Sequence, residues 1–306
     1  MTVAGVVHEW YGYLASDSSA DAHAAASQRY CPFLEAECTK PGGVCSITST
    51  AANEHVIICP NRVKFGGHDF LRAIAAEAMT HLPLLLEPDG LPALVPGAQA
   101  RGVAMARQQY TVGVFGRAPF GSEVQLPPVV PGGARYSVDF VIVVIDPAGT
   151  LVGFTPVELQ TIDTTGNYRS SMAALINGRT IQQSGVGLNW ENVNKRILPQ
   201  IIVKGLMLQA ERLCASGMFF VTPKPVYDRI MARLGGPDRL RQLPLQPGAT
   251  TFWTYEYAAP PQLGQTAPLQ VLPRRTVSTS DLSLAFVTPE NLPPAGAYES
   301  SIVSRL

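Results

Sequence analysis

The sequence predicts an α/β protein, and two kinds of stretch predict it. Val141 to Ile145 is β-branched throughout with no polar alternation, the pattern of a strand covered on both faces. His68 to His81 instead places Phe70, Leu71, Ile74, Ala75 and Ala78 at helical spacing. With 306 residues and 46% hydrophobic content, the chain suffices for one large or two modest domains with a sizeable core.

Taken in order, the Ala-rich segment Ala20 to Ala26 predicts a short helix, and Val56 to Ile58 a strand ending at Cys59. After the His68–His81 helix, residues 82–100 are rich in Pro and Gly and read as a loop. Tyr110–Phe115 and Glu123–Leu126 read as strands, and Pro127–Gly133 as a turn-rich connection. Val138–Ile145 and Leu151–Thr161 then form a strand pair around the turn Asp146-Pro147-Ala148-Gly149, where Pro presets φ and Gly tolerates positive φ. Ser170–Leu175 suits a helix. Asn189 is placed to cap a long helix, Trp190 to Ala215, which Pro199 should kink or break. Met218–Val221 reads as a buried strand and Pro225–Leu234 as an amphipathic helix stopped by Gly235, Gly236 and Pro237. The Pro-rich remainder carries one expected strand, Thr251–Tyr257. The expected division is 1–66 for a cysteine-rich N-terminal region, 67–235 for the core and 236–306 for a Pro-rich extension with strands.

Into the apolar strand pair the sequence sets Asp139, Glu158 and Gln160. Strand side chains alternate, so Glu158 and Gln160 share a face, and Asp139 can meet Glu158 across the pair. A buried carboxylate is costly unless paired or bound to a metal. The two therefore point to a hard-cation site, foremost Mg²⁺, or else to an edge pair that faces solvent.

Four of the five cysteines lie close together: Cys31, Cys38, Cys45 and Cys59, separated by six, six and thirteen residues. Reduced thiols so grouped suit a tetrahedral site for zinc or iron. Two disulfides or unrelated buried cysteines are the competing readings. Cys214 reads as a core residue.

Net charge is zero, so bulk electrostatics announce no nucleic-acid partner, but the charge is unevenly placed. Leu91–Ser122 holds no acid but has Arg101, Arg107 and Arg117; Thr164–Trp190 holds none but has Arg169 and Arg179. No stretch is long and apolar enough to span a bilayer, so no membrane is expected. The N-terminus lacks a basic n-region, and no signal peptide is expected.

Three blocks carry a family resemblance: CPFLEAEC, CSITS and VIICPNR within Cys31–Arg62, VELQTIDTTGNYR over Val157–Arg169, and GLNWENVNKRILPQIIVKG over Gly187–Gly205. In this order they resemble the NotI/EagI-type type II restriction endonucleases, over roughly residues 30–220. The resemblance implies a PD-(D/E)xK nuclease core of the E-x-Q variant: a central mixed sheet flanked by helices, acting as a homodimer on a palindromic, GC-rich site in double-stranded DNA. It implies that Asp139 and Glu158 bind Mg²⁺, with Gln160 where most of the superfamily has Lys. It also implies that the four cysteines hold one metal ion, iron in this family. Glu123 is read as an upstream active-site carboxylate or an exposed strand residue. Arg169 is read as a phosphate contact or as a partner of Asp163. Asn189, Lys195 and Arg196 at the start of the long helix are read as DNA contacts, to bases or to phosphates, or as dimer packing. The implied setting is the bacterial cytoplasm, beside a cognate DNA methyltransferase. The rival readings are a non-catalytic DNA-binding or assembly protein and a less specific metal-dependent nuclease.

Overall fold

The computed structural model describes residues 5–49, 54–126, 131–132, 135–289 and 293–306. The connection expected at Pro127–Gly133 lies largely outside the described residues.

Two sheets organise the chain. The first is antiparallel and holds β1 (Gly5–Trp10), β2 (Tyr13–Leu14), β3 (Val44–Ser49) and β4 (Glu54–Ile57) in the order β2-β1-β3-β4. The second has eight strands: β5 (Leu94–Pro96), β6 (Thr111–Gly116), β7 (Phe140–Ile145), β8 (Leu151–Leu159), β9 (Met218–Pro223), β10 (Ala249–Tyr257), β11 (Leu269–Val271) and β12 (Arg275–Ser278). Its order is β11-β10-β9-β8-β7-β6-β5, with β12 pairing β10 as well. β6, β7 and β8 run antiparallel, whereas β8, β9 and β10 run parallel, so the central sheet is mixed.

Helices cover both faces. They are α1 (Ala20–Ser27), α2 (Phe65–Ala78), α3 (Gly97–Arg107), α4 (Arg169–Ile176), α5 (Leu198–Leu208), α6 (Lys224–Arg233), α7 (Thr279–Val287) and α8 (Ala297–Val303). On one face Phe70, Leu71 and Ile74 of α2 meet Ile142, Val144, Val157 and Phe219. On the other, Ile201 of α5, Ile230 of α6 and Leu282 of α7 meet Phe220 and Phe252. This two-sided cover is why β7 is apolar at every position.

The β7–β8 hairpin forms as expected, with Gly149 at φ 85° in its turn and Asp146 Oδ1 accepting from Thr150 N at 2.8 Å. Four expectations need correction. First, the reading of residues 82–100 as a loop misses β5 and the start of α3. α3 is short of large apolar residues; its small Ala100 and Ala104 pack on Ile145, which a search for bulky periodicity passes over. Second, α2 becomes regular only at Asp69, because Gly66, Gly67 and His68 all have positive φ. Third, the long helix ends at Leu208, not Ala215, and it opens with a π-helical segment, Val193–Ile197. Asn189 makes no side-chain cap there; its backbone N donates to Asp163 O instead. Fourth, the strands after residue 236 are no appendix, since β10 lies parallel to β9 within the central sheet.

A buried polar cluster joins the two sheets. Glu9, fully buried, accepts from Arg62 at 3.2 Å, from Ser46 Oγ at 3.0 Å and from the Tyr257 hydroxyl. Arg62 also donates to Ala267 O, so β1 is fastened to β10 and the segment beyond it.

Candidate active site

The ends of β7 and β8 present the carboxylates. The β7–β8 register pairs Phe140 with Val157, and one step further Asp139 faces Glu158. Asp139 Oδ2 accepts the backbone N–H of Leu159 at 2.9 Å, which ties the aspartate to the end of β8. Val157 and Leu159 turn into the α2 core, so Glu158 turns to the opposite face, towards α5.

Glu158 is 7% exposed. Its Oε1 accepts from Lys204 Nζ at 2.6 Å, while its buried Oε2 has no hydrogen-bond partner. Burial, and next the charge of Asp139, raise the Glu158 carboxyl to about 7. Burial also raises Asp139, against the Leu159 hydrogen bond and the nearby positive charges of Lys204 and Arg117. A hard cation would offset both charges and satisfy the orphaned oxygen, so the chemistry of the pair fits one.

Glu123 stands behind Asp139, near enough for its charge to raise the Asp139 carboxyl. Its Oε1 accepts from Arg117 Nε at 2.6 Å and its Oε2 from Ser137 Oγ at 3.0 Å. Gln160 lies beyond β8, and its amide donates to Thr161 O at 2.9 Å.

A cleft of about 920 Å³ opens beside Asp139 and Gln160. The cysteine-rich loop forms one wall, through Phe33, Thr39 and Lys40. Lys64, His68 and Arg117 line the other parts. Burial holds the Lys64 ammonium below its usual range, with Asp139 opposing the shift.

Cys31, Cys38, Cys45 and Cys59 are all buried and free, which removes the disulfide reading. The neighbouring Cys31 thiol lowers Cys38 to about 6 and the neighbouring Cys45 thiol lowers Cys59 to about 7, while Cys38 Sγ donates to Lys40 O at 3.5 Å and Cys45 Sγ to Gly43 O at 3.6 Å. The donor chemistry suits a soft metal ion. The arrangement does not reproduce the expected tetrahedral cluster: among the described residues, no group of three or more His, Cys, Asp or Glu side chains is set to hold a metal ion.

The DNA-contact candidates divide. Asp163, on the cleft wall, accepts from Asn192 Nδ2 at 2.8 Å and from Arg196 at 3.3 Å, which fastens the start of the π-helical segment to the cleft. Lys195 is exposed and paired with Glu191. Arg169, exposed at the first turn of α4, is not the partner of Asp163; its backbone N donates to Asn167 Oδ1.

Sequence reasoning missed Lys204. Its signal was present: Ile201, Gly205 and Leu208 are buried on α5, and Lys204 falls on that same stripe as its one charge. The chain matches no family model, and no curated protein matches it. Among the described residues no helix is long and apolar enough to cross a membrane.

Proposed function

We propose that this protein is a Mg²⁺-dependent type II restriction endonuclease with a variant PD-(D/E)xK core, hydrolysing double-stranded DNA at a palindromic, GC-rich site as a homodimer. The observation that carries the reading is the Asp139–Glu158 pair. The buried Glu158 and the half-buried Asp139 lie across an otherwise apolar strand pair, Asp139 lines the cleft, and one glutamate oxygen is left unpartnered. A DNA-binding module without chemistry has no need of both.

Mg²⁺ is commonly held by one or two carboxylates together with substrate phosphates, so a pair suffices. Asp139 and Glu158 would hold it, and when bound it would acidify a water and offset charge at phosphorus. The chain's own groups position the substrate. Lys64 and Arg117 line the cleft and would take DNA phosphates, which fixes register without reading sequence. Gln160 can orient a water through its amide but cannot act as a base at neutral pH. Glu123 holds Arg117 in place rather than facing solvent. Asn189, Lys195, Arg196 and Arg169 remain the candidates for further DNA contacts. A cognate methyltransferase is the cellular partner this activity requires.

The four cysteines would close on one iron or zinc ion, shaping the cleft wall they adjoin. Cys45→Ser is expected to lose that ion and to lower the melting temperature. Unchanged metal content and melting would count against the knot.

The test of function is digestion of GC-rich plasmid and phage DNA with Mg²⁺ beside an EDTA control. Discrete fragments that vanish with EDTA support the reading, and a smear supports the less specific nuclease. Intact DNA across several genomes, with binding retained, would sink both in favour of a binding protein.

A further inference from the structure

Lys204 reaches Glu158 from a different element. It leaves α5, crosses to the end of β8 and donates to Glu158 Oε1 at 2.6 Å. The two side chains are only 12% and 9% exposed. Burying a lysine on an apolar helix stripe is costly, and replacing such an ion pair by apolar residues is often neutral or stabilising. Stability therefore gives no reason for it. The geometry does give one. With Oε1 pinned by Lys204, Glu158 keeps a single free oxygen, Oε2, which is buried and unpartnered. Asp139 is likewise pinned through Leu159 N. Each carboxylate is thus fixed by one oxygen, and the chain places a full positive charge beside a carboxylate pair whose neighbour in sequence, Gln160, has none.

We propose that Lys204 is the positioning residue of the site: it fixes Glu158 and compensates the paired carboxylate charge, the part that position 160 cannot play with a neutral amide. This rests on the nuclease reading above and deepens it. Lys204 acts through Glu158, to which its ammonium is bonded and beside which it is nearly buried. Its charge, more than its hydrogen bond, is what the site uses.

Three variants of the full chain separate these properties. Lys204→Arg keeps the charge, Lys204→Gln keeps a donor without charge, and Lys204→Met keeps neither. Each is compared with the wild type for DNA affinity in Ca²⁺ and for single-turnover cleavage at saturating Mg²⁺. Lys204→Met and Lys204→Gln are expected to cut about 10²–10³-fold more slowly, the scale of losing one preorganised electrostatic group, with DNA affinity within about twofold. Lys204→Arg should recover most of the rate. If Lys204→Met fails to fold, the Gln and Arg pair decides. Wild-type cleavage rates in Lys204→Gln, or affinity and rate falling together in all three, would overturn the proposal while leaving the nuclease reading intact. A wild-type protein that never cuts DNA overturns both.

Discussion

Asp139 sits one residue before its strand begins, and that step decides what it does. There its carboxylate reaches Leu159 N and stands at the cleft. Asp139→Asn keeps the shape and removes the charge. It is expected to bind DNA as the wild type does in Ca²⁺ and to cut at least about 10²-fold more slowly, on the scale of lost electrostatic stabilisation. A gel-shift titration and single-turnover cleavage check this, and normal cleavage would sink the assignment. At this scale the sequence was legible where a charge interrupts an apolar strand, because such a charge must find a partner. Asp139 and Glu158 stood out in this way, and Gln160 as the polar residue that shares the face of Glu158. Arg169 and Asp163 did not resolve, since Asp163 takes partners 29 and 33 residues away, in a segment that only the fold brings near.

The helix that carries Lys204 shows what one element must satisfy at once. Pro199 has no N–H and should break an α-helix. The chain answers with the π-helical segment Val193–Ile197, where Leu198 N donates back to Val193 O, so the widened turn absorbs the mismatch before α5 continues. Such turns recur at functional sites, and this one carries Lys195 and Arg196. Further along, Gly205 lies against α7. A Cβ added there would stand 2.7 Å from both Oγ1 and Cγ2 of Thr279, which is itself fully buried and hydrogen-bonded to Thr250. Gly205→Ala is expected to cost about 1–3 kcal/mol by overpacking, and to slow cleavage by shifting Lys204 with its helix. Urea unfolding reads the first effect and single-turnover cleavage the second. The helix was legible, and so was the difficulty at Pro199. The remedy was not, because propensities describe residues one at a time and a π turn belongs to five.

At the scale of the whole molecule, two sheets share one body, which holds a half-buried histidine, His8, and a buried one, His68. His8, lowered to about 4 by burial and by its stacked neighbour His55, belongs to β1. His68, lowered to about 4 by burial and by Lys64, sits among Phe70, Phe120 and Phe140 beside the cleft. Both are neutral when folded, so between pH 6.5 and about 4 the unfolded chain binds more protons than the native one. The melting temperature should therefore fall as pH drops through that interval. His68→Phe, which cannot take a proton, should flatten part of the fall; an identical slope in that variant would count against the assignment. Apolar runs of two periods alternate along the chain and make the α/β class legible, whereas the central mixed sheet flanked by helices is what the family resemblance implies. The place of β10 was not legible, since nothing local says which strand is its neighbour. That placement also sets a timetable. β10 lies inside the sheet and completes the partners of Glu9 near the other end of the chain. A nascent chain halted before residue 257 thus has its carboxylates but not a closed body to hold them, and a DNA-cutting activity would be withheld until synthesis has passed that point.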